Sequence, residues 1–258
     1  MEPNEIFLIK DYLRINGLGG FVEDIPDPGA QRFCGSLSLT AGRGQYVSFQ
    51  IALEPSGGTL DSLELIPSPL MSGSGSSRPE GNYSFFTEWF HRVEGKLIPD
   101  LLLPWEDATG NFRIPLDGHY LPDQRAGAVW VDLWIPDTAA PGDYEGALLV
   151  RAGDKEQDFR ISCHVGDFAV PHTGRLTADL NNYADSISDS FDSLRGSPQR
   201  YRDGSYFAVE KEFYRMAREH RCLFHNPPYR HSGHIPESFA PELEGEGKEI
   251  RVKSWELF

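Results

Sequence analysis

The sequence predicts a mostly β protein: an N-terminal two-sheet β-sandwich, then the start of an α/β domain, either a barrel or an open sheet. Three observations carry this. Val47, Phe49, Ile51 and Leu53 alternate with Ser48, Gln50 and Ala52, the period of a strand with one buried face. Val129, Val131, Leu133 and Ile135 alternate with Trp130, Asp132 and Trp134, so that both faces carry bulk. After residue 174 the pattern changes to strand, helix, strand.

The strands follow in order. Leu60 to Ile66, Tyr83 to Val93, Gly146 to Ala152 and Phe159 to Val165 join Tyr46 to Leu53 and Ala128 to Ile135 as candidates, with turn signals between them. The bulk on both faces of the 128–135 segment predicts a central strand covered on both sides. The polar run GDKEQD predicts a hairpin turn between the last two strands. Residues 67–81, rich in Ser, Gly and Pro, read as a mobile loop, and Leu101 to Pro122 as an ordered excursion.

The β pattern stops near Val170-Pro171, which places a sandwich domain at 1–171 and a second domain at 175–258. In the second, Leu176 to Leu180 reads as a strand and Cys222 to Tyr229 as another. Tyr206 to His220 reads as the helix between them, with Phe207, Phe213, Met216 and Ala217 on one face and Glu210, Lys211, Glu212 and Arg215 opposite. Two parallel strands and a helix leave edges and a face uncovered, so this segment reads as a truncated domain.

Composition bounds the function. The 258 residues are 39% hydrophobic, enough for a packed core. The net charge of −15 would repel a polyanion, which argues against nucleic acid or an anionic membrane surface and leaves neutral ligands such as sugars. No run approaches a membrane span. Cys34, Cys163 and Cys222 are few and far apart, which argues for three buried thiols rather than a disulfide or zinc scaffold. The N-terminus lacks the basic and apolar regions of a signal peptide, so a cytoplasmic location is expected unless residues are missing upstream.

Residues just after parallel strands face the ligand crevice of α/β folds. Asp179, Asn181, Asn182 and Tyr183 follow the first strand, and His225, Asn226 and Tyr229 the second. Carboxylates, amides and aromatic rings are the groups that hold vicinal hydroxyls and a sugar ring. The same Asn and Asp also terminate strands by local hydrogen bonding. His225, His231 and His234 have no zinc spacing, GSGSS precedes no helix, and no nucleophile elbow occurs, so neither metal nor cofactor is expected. Trp89, Trp105, Trp130 and Trp134 could form a sugar platform or pack in the core.

Four segments in order resemble glycoside hydrolase family 123 and its uncharacterised relatives. AGRGQYVSFQIAL resembles an early strand of their sandwich. VWVDLWIPDTAAPGDYEGALLVRA carries their Pro-Gly-x-Tyr-x-Gly turn. VGDFAVPHTGRLTADLNNY resembles the exit into the first barrel strand, and EFYRMAREHRCLFHNPPYRHSG the first barrel helix and second strand. The resemblance implies a sandwich beside a (β/α)8 barrel that hydrolyses glycosides, with terminal β-linked N-acetylgalactosamine as the family's substrate. It also implies a catalytic Asp-Glu pair assisting the sugar's acetamido group; no Asp-Glu dipeptide occurs in this chain. The expected function is thus the N-terminal part of a glycoside hydrolase-like protein acting on glycans, with N-acetylhexosaminides the implied class. The alternative is a non-catalytic carbohydrate- or protein-binding β-sandwich module.

Overall fold

The computed structural model describes residues 6–72, 82–105, 112–116, 121–171, 179–181, 187, 190, 191, 193, 195 and 204–225. The chain divides into two compact units, Met1–Val170 and Pro171–Phe258.

The first unit is built of strands. These are β1 (Ile6–Lys10), β2 (Ser36–Arg43), β3 (Gln45–Leu53), β4 (Leu63–Pro67), β5 (Met71–Ser72), β6 (Asn82–Val93), β7 (Lys96–Pro104), β8 (Gly127–Ile135), β9 (Gly142–Ala152) and β10 (Lys155–Ala169). Five of them form one sheet in the order β1-β3-β8-β6-β7, every pair antiparallel. The other sheet runs β2-β10-β9-β4, with β5 also on β9; here β2 pairs β10 in parallel.

The alternation read from the sequence decides which side chains meet. Phe49, Ile51 and Leu53 of β3 and Val129, Val131, Leu133 and Ile135 of β8 are all buried in one cluster. Leu37 and Leu39 of β2, Leu148 and Val150 of β9, and Phe159, Ile161, Cys163 and Val165 of β10 fill the same cluster from the other sheet. Two sheets therefore share one core, and each fully buried side chain of this size contributes about 1.5–3 kcal/mol.

Several details correct the sequence reading. β1, β2, β5 and β7 are strands that alternation does not mark, and β5, with Pro67 of β4 and the buried Leu70, corrects the start of the expected mobile loop to ordered structure paired with β9. Leu60 lies outside β4 and instead bridges Ile114. GDKEQD is mostly strand: Ala152 pairs Lys155, so the turn is only Gly153-Asp154, with Gly153 at φ 60. Residues 101–104 continue β7 rather than opening an excursion. Residues 73–81, 106–111 and 117–120 lie outside the described residues. Of the cysteines only Cys163 is buried; Cys34 and Cys222 are half-buried.

The chain passes from one sheet to the other at Gly44, between β2 and β3. Its φ is +66, and a Cβ there would lie 2.1 Å from an Asp137 carboxylate oxygen. Only glycine fits both the dihedral and the space.

The outer face of the first sheet carries a second, smaller core. Residues after β1 fold back so that Leu13 and Ile15 pack with Phe7, Ile9, Ala52, Ala126 and Ala128. Gln50, buried on that face, donates through Nε2 to the Leu13 carbonyl at 2.5 Å. The Arg32 guanidinium sits 4.2 Å from the Phe7 ring centroid and pairs with Glu54 at 2.6 Å, and Glu54 also accepts from the Gly20 amide. The free edge of β1 is closed by Phe33, which exchanges backbone hydrogen bonds with Leu8.

In the second unit, β11 (Asp179–Asn181) and β12 (Leu223–His225) pair in parallel, and α1 (Ser205–Glu219) lies between them in sequence. The buried face of α1 is Tyr206, Phe207, Glu210, Tyr214 and Ala217, a spacing of three and four residues. Met216, expected inside, is exposed, while Glu210, expected outside, is buried. Tyr214 and Phe213 claim that face because both rings contact Phe224, at 5.1 and 5.5 Å. The helix ends in a Schellman turn: Cys222 N–H reaches the Ala217 carbonyl, Arg221 N–H the Arg218 carbonyl, and Arg221 stands at φ 58.

Two outcomes follow for stability. A chain ending at Pro171 should melt in one cooperative transition, because among the described residues the shared core is drawn from Ile6 to Val165; a broad, non-cooperative melt would overturn this. Gly44→Ala should lower stability by about 1–3 kcal/mol, read from the shift in denaturant midpoint, since it meets both a disallowed φ and the Asp137 carboxylate; an unchanged midpoint would refute this.

Candidate functional site

Of the residues singled out in the second unit, the backbone brings Asn181 and His225 together as partners at the C-terminal ends of two parallel strands. Asp179 stands two residues earlier on β11, opposite Leu223. Asn182, Tyr183, Asn226 and Tyr229 lie outside the described residues, as do His231 and His234. Among the described residues no three His, Cys, Asp or Glu side chains could hold a metal ion, and no helix is long and apolar enough to cross a membrane.

The tryptophans divide by face. Trp89 and Trp105 pack against the shared core, and Trp105 stacks on Phe112 with centroids 6.0 Å apart. Trp130 and Trp134 lie on the other face of β8, because Val129, Val131, Leu133 and Ile135 take the inner one. They are half-buried there. The expectation that both faces of β8 are covered thus holds for the end near Ala128 and is corrected for the end near Trp134.

Cross-strand register arranges this outer face in rows. Tyr46 of β3 stands opposite Trp134, and their rings lie 4.7 Å apart at 50°. Ser48 stands opposite Asp132, which in turn stands opposite Ser84 of β6. Gln50 stands opposite Trp130, and Trp130 opposite Phe86. Asp132 is fixed within the face: its Oδ1 accepts from Ser48 Oγ at 2.6 Å and from the Trp130 indole N–H at 2.7 Å.

Glu88 is the residue that sequence reasoning missed. Two positions beyond Phe86 on β6, it is buried, and among the described residues its Oε2 has no hydrogen-bond partner. Burial pushes its carboxyl up from 4.5 to about 8, so at neutral pH it is mostly protonated. A register shift adjoins it: Trp89 pairs Leu101, Phe90 pairs Pro99, and Asp100 is left as the extra residue of a bulge. Nothing in the Phe-Thr-Glu-Trp run marks this position as buried.

No protein-family model matches the chain, and no curated protein does. Among solved structures, the fold is similar to that of a family 123 glycoside hydrolase from Clostridium perfringens, described for glycolipid glycan hydrolysis. The TM-score is 0.61 at 13% identity, over 84% of this chain and 36% of that one. This chain therefore spans about a third of the length of that enzyme. A pilin subunit from enterotoxigenic Escherichia coli matches at a TM-score of 0.28 and 11% identity, over 62% of this chain and 98% of the pilin. A fimbrial subunit from Yersinia enterocolitica, solved with galactose, matches at 0.29 and 12%, over 51% and 93%. At 13% identity the first likeness is one of fold, and the other two carry no argument.

Glu88 has a measurable signature. Its folded pKa lies above its unfolded value, so its contribution is fully present below about pH 4.5 and is lost as pH rises towards 8. Glu88→Gln, which stays neutral, should remove that dependence. The stability difference between the two chains should widen from pH 4.5 to pH 8 at roughly 1.4 kcal/mol per unit, to a total of a few kcal/mol. Parallel pH profiles in denaturant titrations would contradict this.

Proposed function

We propose that this chain is the N-terminal part of a glycoside hydrolase-like protein acting on glycans: a sandwich followed by the first strands of a (β/α)8 barrel. The observation that carries the reading is the fold match at a TM-score of 0.61 over 84% of the chain. A second support is the order of parts, two sheets around one core followed by a parallel strand–helix–strand unit. The four resembling sequence segments fall in the same order.

In this reading Asp179, Asn181, Asn182, Tyr183, His225, Asn226 and Tyr229 bind and orient the sugar. An amide and an imidazole at adjacent strand ends offer a donor and an acceptor to neighbouring hydroxyls, and a tyrosine offers a ring face. N-acetylhexosaminides are the substrate class that the family resemblance suggests. Hydrolysis needs an acid and a second carboxylate, or an acetamido group oriented by one, across the scissile bond. Asp179 is the one carboxylate in the proposed set, so these residues position substrate and the remaining groups come from elsewhere.

The test is a titration of the 258-residue chain with N-acetylgalactosamine and with an aryl β-N-acetylgalactosaminide. Asn181→Ala and His225→Ala should each raise the Kd by about tenfold, the loss of one or two hydrogen bonds to a sugar. No aryl alcohol should be released by this chain. Affinity unchanged in both variants would sink the site, and turnover would shift the search for catalytic carboxylates to the first unit, beginning with Glu88 and Asp132.

A further inference from the structure

The outer face of β3, β8 and β6 has no part in the reading above, and its side chains are arranged with unusual order. From one end to the other the rows read aromatic, polar, aromatic. Tyr46 with Trp134 forms the first, Ser48 with Asp132 and Ser84 the second, and Trp130 with Phe86 the third. Tyr46 is 47% exposed, Ser84 is exposed, and Trp130, Asp132 and Trp134 are half-buried, so the rings and the carboxylate share one accessible surface.

Asp132 is the centre of the arrangement. Two donors hold its Oδ1, which fixes the direction of the carboxylate. Among the described residues its Oδ2 accepts no hydrogen bond and the side chain has no ion pair. A fixed carboxylate oxygen between two aromatic rows is an acceptor waiting for donors.

We propose that this face is a binding platform for a neutral oligosaccharide, with Trp134, Tyr46 and Trp130 stacking on ring faces and Asp132 Oδ2 accepting from a hydroxyl. Charge and geometry select this occupant. An apolar protein surface would bury Asp132 without a counter-charge, at a cost of several kcal/mol. A polyanion is repelled by the net charge of −15. A single organic cation would occupy one ring pair, Tyr46 with Trp134, and leave the Trp130 row unused. Trp130 and Trp134, four residues apart on one strand, stand about 13 Å apart along it. An extended chain of sugar rings spans that separation and brings hydroxyls to the polar row between. The inference uses first-unit residues alone and stands or falls apart from the strand-end site.

The experiment is a titration of the whole 258-residue chain with N,N′,N″-triacetylchitotriose and with cellotriose, followed by tryptophan fluorescence and calorimetry. At least one trisaccharide should bind and shift the emission of the face's tryptophans. Trp134→Ala and Asp132→Ala should each raise the Kd by about tenfold or more. Trp134→Phe, which keeps a ring, should retain most of the affinity and guards against loss through misfolding. Tyr46→Ala, at an exposed position, gives a second check and should weaken binding. Ile66→Ala, at an exposed position on the other sheet, should leave trisaccharide binding unchanged. No binding of either sugar, or binding indifferent to Trp134→Ala and Tyr46→Ala, would overturn the proposal. So would loss of binding in Asn181→Ala alone, which would assign the sugar to the strand ends. Binding of tetramethylammonium in preference to sugar, abolished by Asp132→Asn, would make the face a cation site instead.

Discussion

β8 is the strand on which the first unit depends, because a strand has two faces and this one uses both. Val129, Val131, Leu133 and Ile135 fill the core shared with the second sheet. Once they are committed inward, the pleat sends Trp130, Asp132 and Trp134 outward, with no freedom to choose. A slip of one residue would exchange four apolar side chains for two indoles and a carboxylate. The register with β3 and β6 is held by that penalty, and every cross-strand neighbour of the outer face follows from it.

The outer face is then divided by what the chain can bring to it. At the end near Ala128, the segment after β1 returns and covers Ala52 and Ala128 with Leu13 and Ile15. The small side chains of β3 and β8 permit that close approach. Gln50 holds the returning backbone by hydrogen bonds to the Lys10 and Leu13 carbonyls, and Arg32 ties it through Phe7 and Glu54. At the other end the large rings of Trp134 and Tyr46 occupy the space themselves. Glu88 belongs to the buried end, and among the described residues its Oε2 has no hydrogen-bond partner there; burial sets its proton affinity.

The second unit obeys a different period. In α1 the three-and-four spacing of Phe207, Glu210, Tyr214 and Ala217 makes one face, and aromatic contacts to Phe224 decide that Phe213 and Tyr214 lean onto β12. The parallel pairing of β11 with β12 then puts Asn181 beside His225. That juxtaposition is a property of the crossover: two residues 44 apart in sequence meet because one helix returns the chain to the same end of the sheet.

The sequence by itself determined the strands whose two faces differ strongly. β3 and β8 announce their buried faces, the hairpin of β9 and β10 is marked by Gly153-Asp154, and the shift to a helical period after residue 174 announces a second unit. β1, β2 and β7 were not legible in the same way. β1 is apolar on both faces, β2 alternates with serines and small residues, and β7 is broken by Pro99 and the bulge at Asp100. Of the candidate sites, the strand-end residues could be listed from the pattern, and the tryptophans could be counted. Only the tertiary structure decided that Trp89 and Trp105 face the core while Trp130 and Trp134 do not, that Ser48 fixes Asp132 across 84 residues of chain, and that Glu88 is buried. Periodicity tells each strand which of its residues share a face. What covers that face depends on neighbours distant in the chain, and that information exists only once the chain has folded.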